Sequence, residues 1–437
     1  MTSASVRSIA SVVRIFATLS LSGVVAAAPL SAAEARTLSW SESVKLTRES
    51  NADLKAAEAA FRSTEDLEGV ARAGFLPTVN GVLDASRTGN SGSPDLTQTR
   101  GNQYSATFEA SESVFNGLSD YANFSRAKAN TRAAVAAYEI AKAKASYDLK
   151  SAFEGLFYAQ NVRILTTDIV KRRLSNLELV QLRFESGREN KGSVLLSRAN
   201  LNQAKYESLQ SEDNQAIARA TLARVIGLDD TDETLAVVDE VPTNPAPPKP
   251  PDFRRLAAIT PDHVQAAAQE DSAQAAVTVA RSTYFPSLGV SANYGRRDVA
   301  FFPNGPDRWT LDATITIPLF HGGKDFYSTK SATATYTGSI GNRVSVDRGL
   351  LVKLRQAFHG YVEAVMKSEV DVSFRDAAQL RAEIARTQYN NGLVSFNDWD
   401  IIENDLIARQ KTSLQSLRDR VTGEAIWEQA QGAGVVP

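Results

Sequence analysis

The sequence predicts a mainly α-helical protein with membrane β-strands: a long α-helical coiled-coil barrel continuous with a transmembrane β-barrel, built from an internal two-fold repeat. Three observations predict it. Phe115, Gly117, Phe153, Phe184, Gly187 and Leu201 recur as Phe320, Gly322, Phe358, Tyr389, Gly392 and Leu406, always 205 positions later. Long Ala-rich stretches free of interior proline lie in both halves, and between them run segments in which apolar and polar residues alternate. An offset that stays constant over roughly ninety residues means that each half is one large unit and not a short solenoid repeat.

The first long helix is predicted over residues 117–186. Ala127, Ala129, Ala133, Ala134, Ala136 and Ala137 crowd its first part, and Leu174, Leu177, Val180 and Phe184 recur at three- and four-residue steps. At 1.5 Å per residue such a helix is about 100 Å long and needs a coiled-coil-like partner. Gly187 ends it, and Gly192-Ser193 restarts the pattern, with Ser193 as the N-cap of a second helix reaching about Ile226. In the second half Gly392 ends the helix, and Ser395 followed by Asp398 reads as a capping box for a helix over 396–430. Each half thus carries an antiparallel helical hairpin, 117–227 and 322–430.

The alternating segments predict four strands in two hairpins, 75–115 and 284–320. Trp309, Leu311, Ala313, Ile315, Ile317 and Leu319 alternate with polar or small residues; so do Leu288, Val290, Ala292 and Tyr294, then Tyr104, Ala106, Phe108 and Ala110, and more weakly Val79, Gly81, Leu83 and Ala85. Length and alternation match transmembrane β-strands. Aromatic residues gather at the segment ends, with Phe75, Phe115, Tyr284, Phe285 and Phe320 on the helix side and Tyr104, Tyr294, Phe301, Phe302 and Trp309 on the turn side, as two interfacial girdles would. A soluble sandwich also alternates, but here the polar faces are mostly small and neutral and the hairpins stand alone between very long helices. Four strands cannot close a barrel, and lipid tolerates no open edge. Three chains would supply twelve strands, enough for a water-filled passage that an eight-stranded barrel does not leave.

Composition narrows the partners. Residues 1–33 have the order of a secretory signal peptide, with Arg7 and Arg14, a diluted apolar run from Ile15 to Val25 and small residues ending at Ala33. Without those two of the 48 basic residues the chain balances 46 basic against 50 acidic groups, a net of −4, which leaves no basic footprint for nucleic acid. There is no cysteine, hence no disulfide, thiolate metal site or acylated N-terminal cysteine. Residues 241–253, rich in proline, read as an extended connector between a first repeat over 34–240 and a second over 254–437. His263, His321 and His359 lack ligand spacing, and no nucleophile elbow or phosphate loop is spelled, so neither an enzyme nor a cofactor site is expected.

The order of helix, strand hairpin, long helical hairpin, proline-rich connector and the same again resembles the TolC-type outer-membrane efflux proteins. The matching text is Gly74-Phe-Leu-Pro77 and Tyr284-Phe-Pro286 at the strand starts, and Val114-Phe-Asn-Gly117 and Ile317-Pro-Leu-Phe-His-Gly-Gly323 at the exits. The tips Phe184-Glu-Ser-Gly187 and Tyr389-Asn-Asn-Gly-Leu-Val-Ser395 complete it. The resemblance implies a homotrimer in outer-membrane lipid with a periplasmic tunnel, docked through a periplasmic adaptor to an inner-membrane transporter. It also implies a gate at the tips, with Tyr389 at the place of a gating tyrosine and Asp398 at that of an aspartate. Val394, Ile401 and Ser193 stand where the family would have an arginine, a second aspartate and a first-half aspartate. Asp405, one heptad after Asp398, joins the candidate constriction, while Asp400 and Glu403 nearby read as acids that solvate a helix. Gly187, Ser193, Gly392, Leu393, Val394 and Phe396 are the candidate adaptor contacts, the last three because a turn rarely exposes three apolar side chains without a partner surface. A periplasmic scaffold or adaptor that never spans the outer membrane is the rival reading; it would carry one helical hairpin where this chain has two.

Overall fold

The computed structural model describes residues 37–88, 101–228 and 235–436; the expected signal peptide and part of the loop 87–103 lie outside them. The first half runs β1 (Thr37–Leu38), α1 (Trp40–Ser50), α2 (Ala52–Ala73), β2 (Thr78–Thr88), β3 (Gly101–Asn116), α3 (Ser119–Glu185), α4 (Lys191–Ile226) and β4 (Ala236–Val237). The second runs α5 (Phe253–Ala257), α6 (Pro261–Ser282), β5 (Ser287–Asp298), β6 (Arg308–Thr316), α7 (Lys324–Asn390) and α8 (Phe396–Ala430). Helices α3 and α7 both have 67 residues, about 100 Å at the α-helical rise. Their first and last residues keep the 205-position offset.

Seven-residue spacing explains why such long helices hold a fixed neighbour. In α7 the buried positions Leu350, Ala357, Asp371, Ala378 and Ala385 form one series, and Leu354, Tyr361, Ser368, Ala382 and Tyr389 another. Both fall on heptad positions, the repeat of a left-handed supercoil. In α3 the series Ala122, Ala129, Ala136 and Ala143 puts the smallest side chain at each contact, so the neighbouring helices approach closely. At the strand-to-helix turn Gly117 (φ +65°) approaches α6 so tightly that a Cβ would stand 2.3 Å from the Ser282 carbonyl oxygen.

Four antiparallel strands make one sheet in the order β2-β3-β5-β6, leaving β2 and β6 as edges. Its register brings the apolar series of all four strands onto a single face. Gly81 stands opposite Phe108, Phe108 opposite Tyr294, and Tyr294 opposite Trp309; one row lower run Val79, Ala110, Ala292 and Leu311. Leu83, Trp309, Leu311 and Ile315 are all at least 66% exposed in the single chain. Such a continuous apolar sheet face calls for lipid or a partner.

Midway along the helices lie two apolar clusters, one built almost wholly by each repeat and each centred on one of the repeat-related phenylalanines. Phe153 packs edge-on against Trp40, with Leu149, Leu156, Leu222 and Ile226 around it. Phe358 packs against Phe253 and Trp427, beside Leu354 and Tyr361. The connector 241–252 is held against this level by polar contacts. Tyr361 Oη donates to the Asn244 carbonyl at 2.5 Å, and Glu424 accepts from the Asn244 backbone N–H at 3.1 Å and from its Nδ2 at 2.8 Å. Lys150, itself buried, lies 2.7 Å from Glu428 and 3.8 Å from Glu424. Burial pushes the Glu154 carboxyl up to about 7, helped by the nearby Glu240 and opposed by Arg418.

Because Glu154 holds its proton more tightly folded than unfolded, stability present below its ordinary value near 4.5 is lost as the pH rises toward 7. Glu154→Gln removes that loss. Its advantage over the parent chain should grow by about 2–3 kcal/mol between pH 4.5 and pH 8, read from denaturant unfolding at both pH values; a pH-independent difference would mean that this carboxyl is solvated.

Candidate functional site: the helical tips

Both hairpins turn by the same backbone device. After α3 the Gly187 N–H donates to Phe184 O (2.9 Å) and the Arg188 N–H to Arg183 O (2.8 Å); after α7 the Gly392 N–H donates to Tyr389 O (2.9 Å) and the Leu393 N–H to Gln388 O (2.9 Å). This is a Schellman turn, and it requires the positive φ that Gly187 (+72°) and Gly392 (+74°) adopt. The second helix of each hairpin then starts on a side-chain cap. Ser395 Oγ accepts from the Asp398 N–H at 3.2 Å and bonds the Asp398 carboxylate at 2.7 Å, completing the expected capping box. On the first hairpin the cap is Asn190, whose Oδ1 accepts from the Ser193 N–H at 3.0 Å. The expected Ser193 cap is thus displaced by three residues, because the amide of Asn190 reaches the free N–H groups one turn earlier.

The two tips are bound to each other through Tyr389. Its ring is fully buried, stacked on Trp399 with centroids 4.4 Å apart, and flanked edge-on by Phe396 at 6.3 Å. The Arg183 guanidinium sits 4.5 Å over the ring and donates from Nη1 to the Tyr389 carbonyl at 2.6 Å, so it also caps the end of α7. Tyr389 Oη donates to Glu189 Oε2 at 3.0 Å, while Glu189 Oε1 accepts from Ser193 Oγ at 2.9 Å. Burial, then the hydrogen bond to Glu189 and its charge, drives the phenol well above its ordinary range, so it stays a donor. Where the family would have an aspartate this chain has Ser193, and the carboxylate that meets Tyr389 comes from Glu189, which Ser193 orients.

A second layer lies deeper in the bundle. Arg172 grips Glu403 with Nε at 2.6 Å and Nη2 at 2.8 Å, and Asn176 adds a third donor at 3.3 Å. Arg173 bonds Asn404 and lies 3.5 Å from Asp400, which also accepts from Asn200 at 3.0 Å. Lys411 reaches Glu207 at 2.5 Å. The expectation that Glu403 and Asp400 merely solvate α8 is therefore overturned. Glu403 is 1% exposed, and both acids tie α8 to the first hairpin.

The remaining tip residues are placed as follows. Asp398 is exposed at the first turn of α8. Asp405 is half-buried between Arg409 (3.3 Å) and Arg381 (3.7 Å), which balance its charge within one chain. Leu393 is 74% exposed at the turn, whereas Val394 and Phe396 are half-buried, the latter against Tyr389 and Trp399. Of the expected girdle residues, Tyr104, Tyr294 and Trp309 lie on the apolar face toward the turn end and Phe115 toward the helices, while Phe320 lies beyond the end of β6. Sequence reasoning missed Trp399, which stacks on the nearby Tyr389, and Arg183, Glu189 and Arg172, whose partners lie 206, 200 and 231 residues away.

Long paired helices joined to an apolar-faced membrane sheet define the architecture of an outer-membrane channel subunit. The sequence model of the outer membrane efflux protein family matches residues 44–228 and 254–432, and the chain belongs to that family. It is 22% identical over 294 residues to a probable outer membrane lipoprotein, SilC, of Salmonella typhimurium, covering 64% of this chain and 62% of that protein. It is 25% identical over 309 residues to the alkaline protease secretion protein AprF of Pseudomonas aeruginosa, covering 66% and 62%. The chain thus aligns with somewhat less than two thirds of these relatives' length. Among solved structures, the outer-membrane channel OprN superposes with a TM-score of 0.80 at 19% identity, over 91% of this chain and 90% of that one. The Campylobacter jejuni CmeC outer membrane channel gives 0.81 at 17%, over 90% and 85%.

The deeper layer gives a direct test. Arg172→Ala leaves the Glu403 carboxylate buried with its main partner gone and should cost about 3–5 kcal/mol, whereas replacing the pair together, Arg172→Met with Glu403→Leu, should recover most of that. Denaturant unfolding, with hydrogen exchange along α8 as the local readout, separates the two; equal losses would mean that the pair is not coupled.

Proposed function

We propose that three copies of this chain join edge to edge, β6 of one to β2 of the next, into a twelve-stranded outer-membrane barrel that continues as a periplasmic helical tunnel. The assembly is the exit duct of a tripartite efflux or type I secretion system, a passive conduit and not a catalyst. The observation that carries this reading is the sheet. One apolar face spans all four strands, and both edges leave backbone N–H and C=O groups that lipid cannot satisfy. A scaffold or adaptor confined to the periplasm would have no use for such a face. The secretion role in AprF's name and the channel titles of the solved relatives support the same class of activity.

The tip contacts support a closed resting state. Tyr389, Arg183, Glu189 and Trp399 hold α7 and α8 against α3 and α4, and three such tips pressed together would narrow the tunnel. Asp398, exposed on the first turn of α8, is the constriction acid in this reading; Asp405, already between two arginines, contributes less. A periplasmic adaptor meets the outer surface of the tips at Gly187, Gly392, Leu393, Val394 and Phe396, with Leu393 as the most accessible apolar contact; Ser193, expected among them, is buried and bonded to Glu189. An inner-membrane transporter then supplies both cargo choice and energy.

In planar bilayers the purified trimer should conduct in small discrete steps. Arg183→Ser combined with Tyr389→Phe should enlarge the steps several-fold, and Asp398→Ala should reduce cation preference and divalent block; a protein that inserts but never conducts would refute the duct. For docking, Leu393→Asp should abolish export in cells while trimers remain intact on heat-modifiable gels, and normal export would remove Leu393 from the adaptor surface.

A further inference from the structure

The polar face of the sheet carries an uneven distribution of charge. Strand register arranges that face in rows running from the helix end to the turn end. Ser111, Ser291 and Asp312 share one row, then Asn80, Glu109, Asn293 and Thr310, then Thr107, Gly295 and Arg308, then Asp84, Ser105 and Arg297. Glu109 and Asp312 therefore occupy the middle of the wall, and its outer end carries Arg297 and Arg308 against the single acid Asp84. Arg297 and Arg308 form a diagonal cross-strand pair, a separation of about 7–8 Å at which like charges repel. Among the described residues neither has a carboxylate within ion-pair distance, whereas Arg296, on the opposite face, is paired with Asp307 at 2.5 Å.

Between these arginines the wall is hollow. A depression of about 200 Å³ is lined by Arg297 and Arg308 together with Ser105, Thr107, Asn293 and Thr310, with Arg296 and Trp309, whose neighbours in the strands face it, at its border. Its floor is Gly295, where a Cβ would stand 2.3 Å from the Ala106 carbonyl oxygen, so only glycine lets the strands approach there. Two forked donors and three hydroxyls around one hollow suit a compact oxyanion, because guanidinium geometry matches carboxylate and phosphate bidentately. Asp84, the acid of the outermost row, is two strands from Arg297, about 9–10 Å at ordinary strand spacing, too far to neutralise it in salt.

We propose that Arg297 and Arg308 form an anion-binding collar just inside the outer mouth of the barrel, repeated by each chain, which takes carboxylate, phosphate or sulfate groups from departing solutes. Glu109 and Asp312 make an acidic belt below it, so the wall reverses sign along the exit path. The collar rests on the proposed duct, since only a closed barrel turns this face into a lumen.

Inorganic phosphate is the probe. In planar bilayers it should reduce the current through the parent channel. Arg297→Gln with Arg308→Gln should raise the half-blocking concentration at least about tenfold, the loss of a charge-assisted contact, and shift selectivity toward cations. Each single variant should give roughly threefold, which keeps the test decisive where the double variant fails to assemble. Arg255→Gln, on α5 outside the sheet, should leave block unchanged. Equal block in the parent and the Arg297 and Arg308 variants, or no block in a conducting parent, overturns the collar and leaves the duct standing. A trimeric parent that inserts without conducting overturns the duct and the collar with it.

Discussion

A hydrogen-bonded strand edge cannot be left bare in hydrocarbon, and the rest of this structure follows from that constraint. Each unpaired backbone group would cost several kcal/mol in lipid. One chain has two such edges, β2 and β6, and too few strands to bend them together. Assembly is thus a requirement of the sheet and not an addition to it. The helices obey the same geometry. Each half delivers two strands and then a 67-residue helix, so helices descend from the sheet at regular intervals, and seven-residue spacing of buried positions keeps each against its neighbours.

Duplication supplies this regularity, and divergence between the copies supplies the asymmetry of the tips. The Schellman turns are the same in both, and the caps Asn190 and Ser395 are repeat-equivalent. Yet Glu189 corresponds to Val394, Arg183 to Gln388, and Ser193 to Asp398. The first copy thus brings the charged grip, and the second brings the aromatic group that is gripped. Had both copies kept Arg and Glu, like charges would have faced each other across the tip; had both kept Tyr and Trp, no donor or acceptor would have served the buried phenol.

Much of this was legible in the sequence. Strand alternation, read residue by residue, matches the observed register on the apolar face except for Ile317 and Leu319, which lie beyond the end of β6, because a period of two leaves no freedom once one face must be apolar. Helix ends were legible from glycine and capping chemistry, and the Ser193 error was avoidable: Asn190 lies 205 positions before Ser395, so the repeat itself pointed to the true cap. The tip network was not legible. A helical face shows that Glu403 is polar, not that Arg172 covers it, since the partner lies 231 residues away. Tyr389 meets Glu189 and Arg183 at 200 and 206 residues, close to the repeat length. Residues about one repeat apart become neighbours here, a usable signal only once the duplication is known to pack side by side.

The two kinds of contact between the halves have different physical consequences. Ile169 and Ala204 with Ile407, and Val180 and Val194 with Tyr389 and Trp399, form apolar clusters between the halves whose attraction is broad and insensitive to small shifts. Beside them lie polar ties: Arg172 to Glu403, Arg173 to Asp400, Lys411 to Glu207, Arg183 and Glu189 to Tyr389. A buried ion pair adds little net stability over a well-packed apolar pair, but it is demanding about register. If α8 slid one turn along α3, about 5.4 Å, the apolar clusters could re-form approximately, whereas Glu403 would lose all three donors at once. The polar layer therefore fixes the position of α8 without making the lower bundle much harder to separate. The proposed duct, closing to one defined position and opening on docking, would need that combination at the tips.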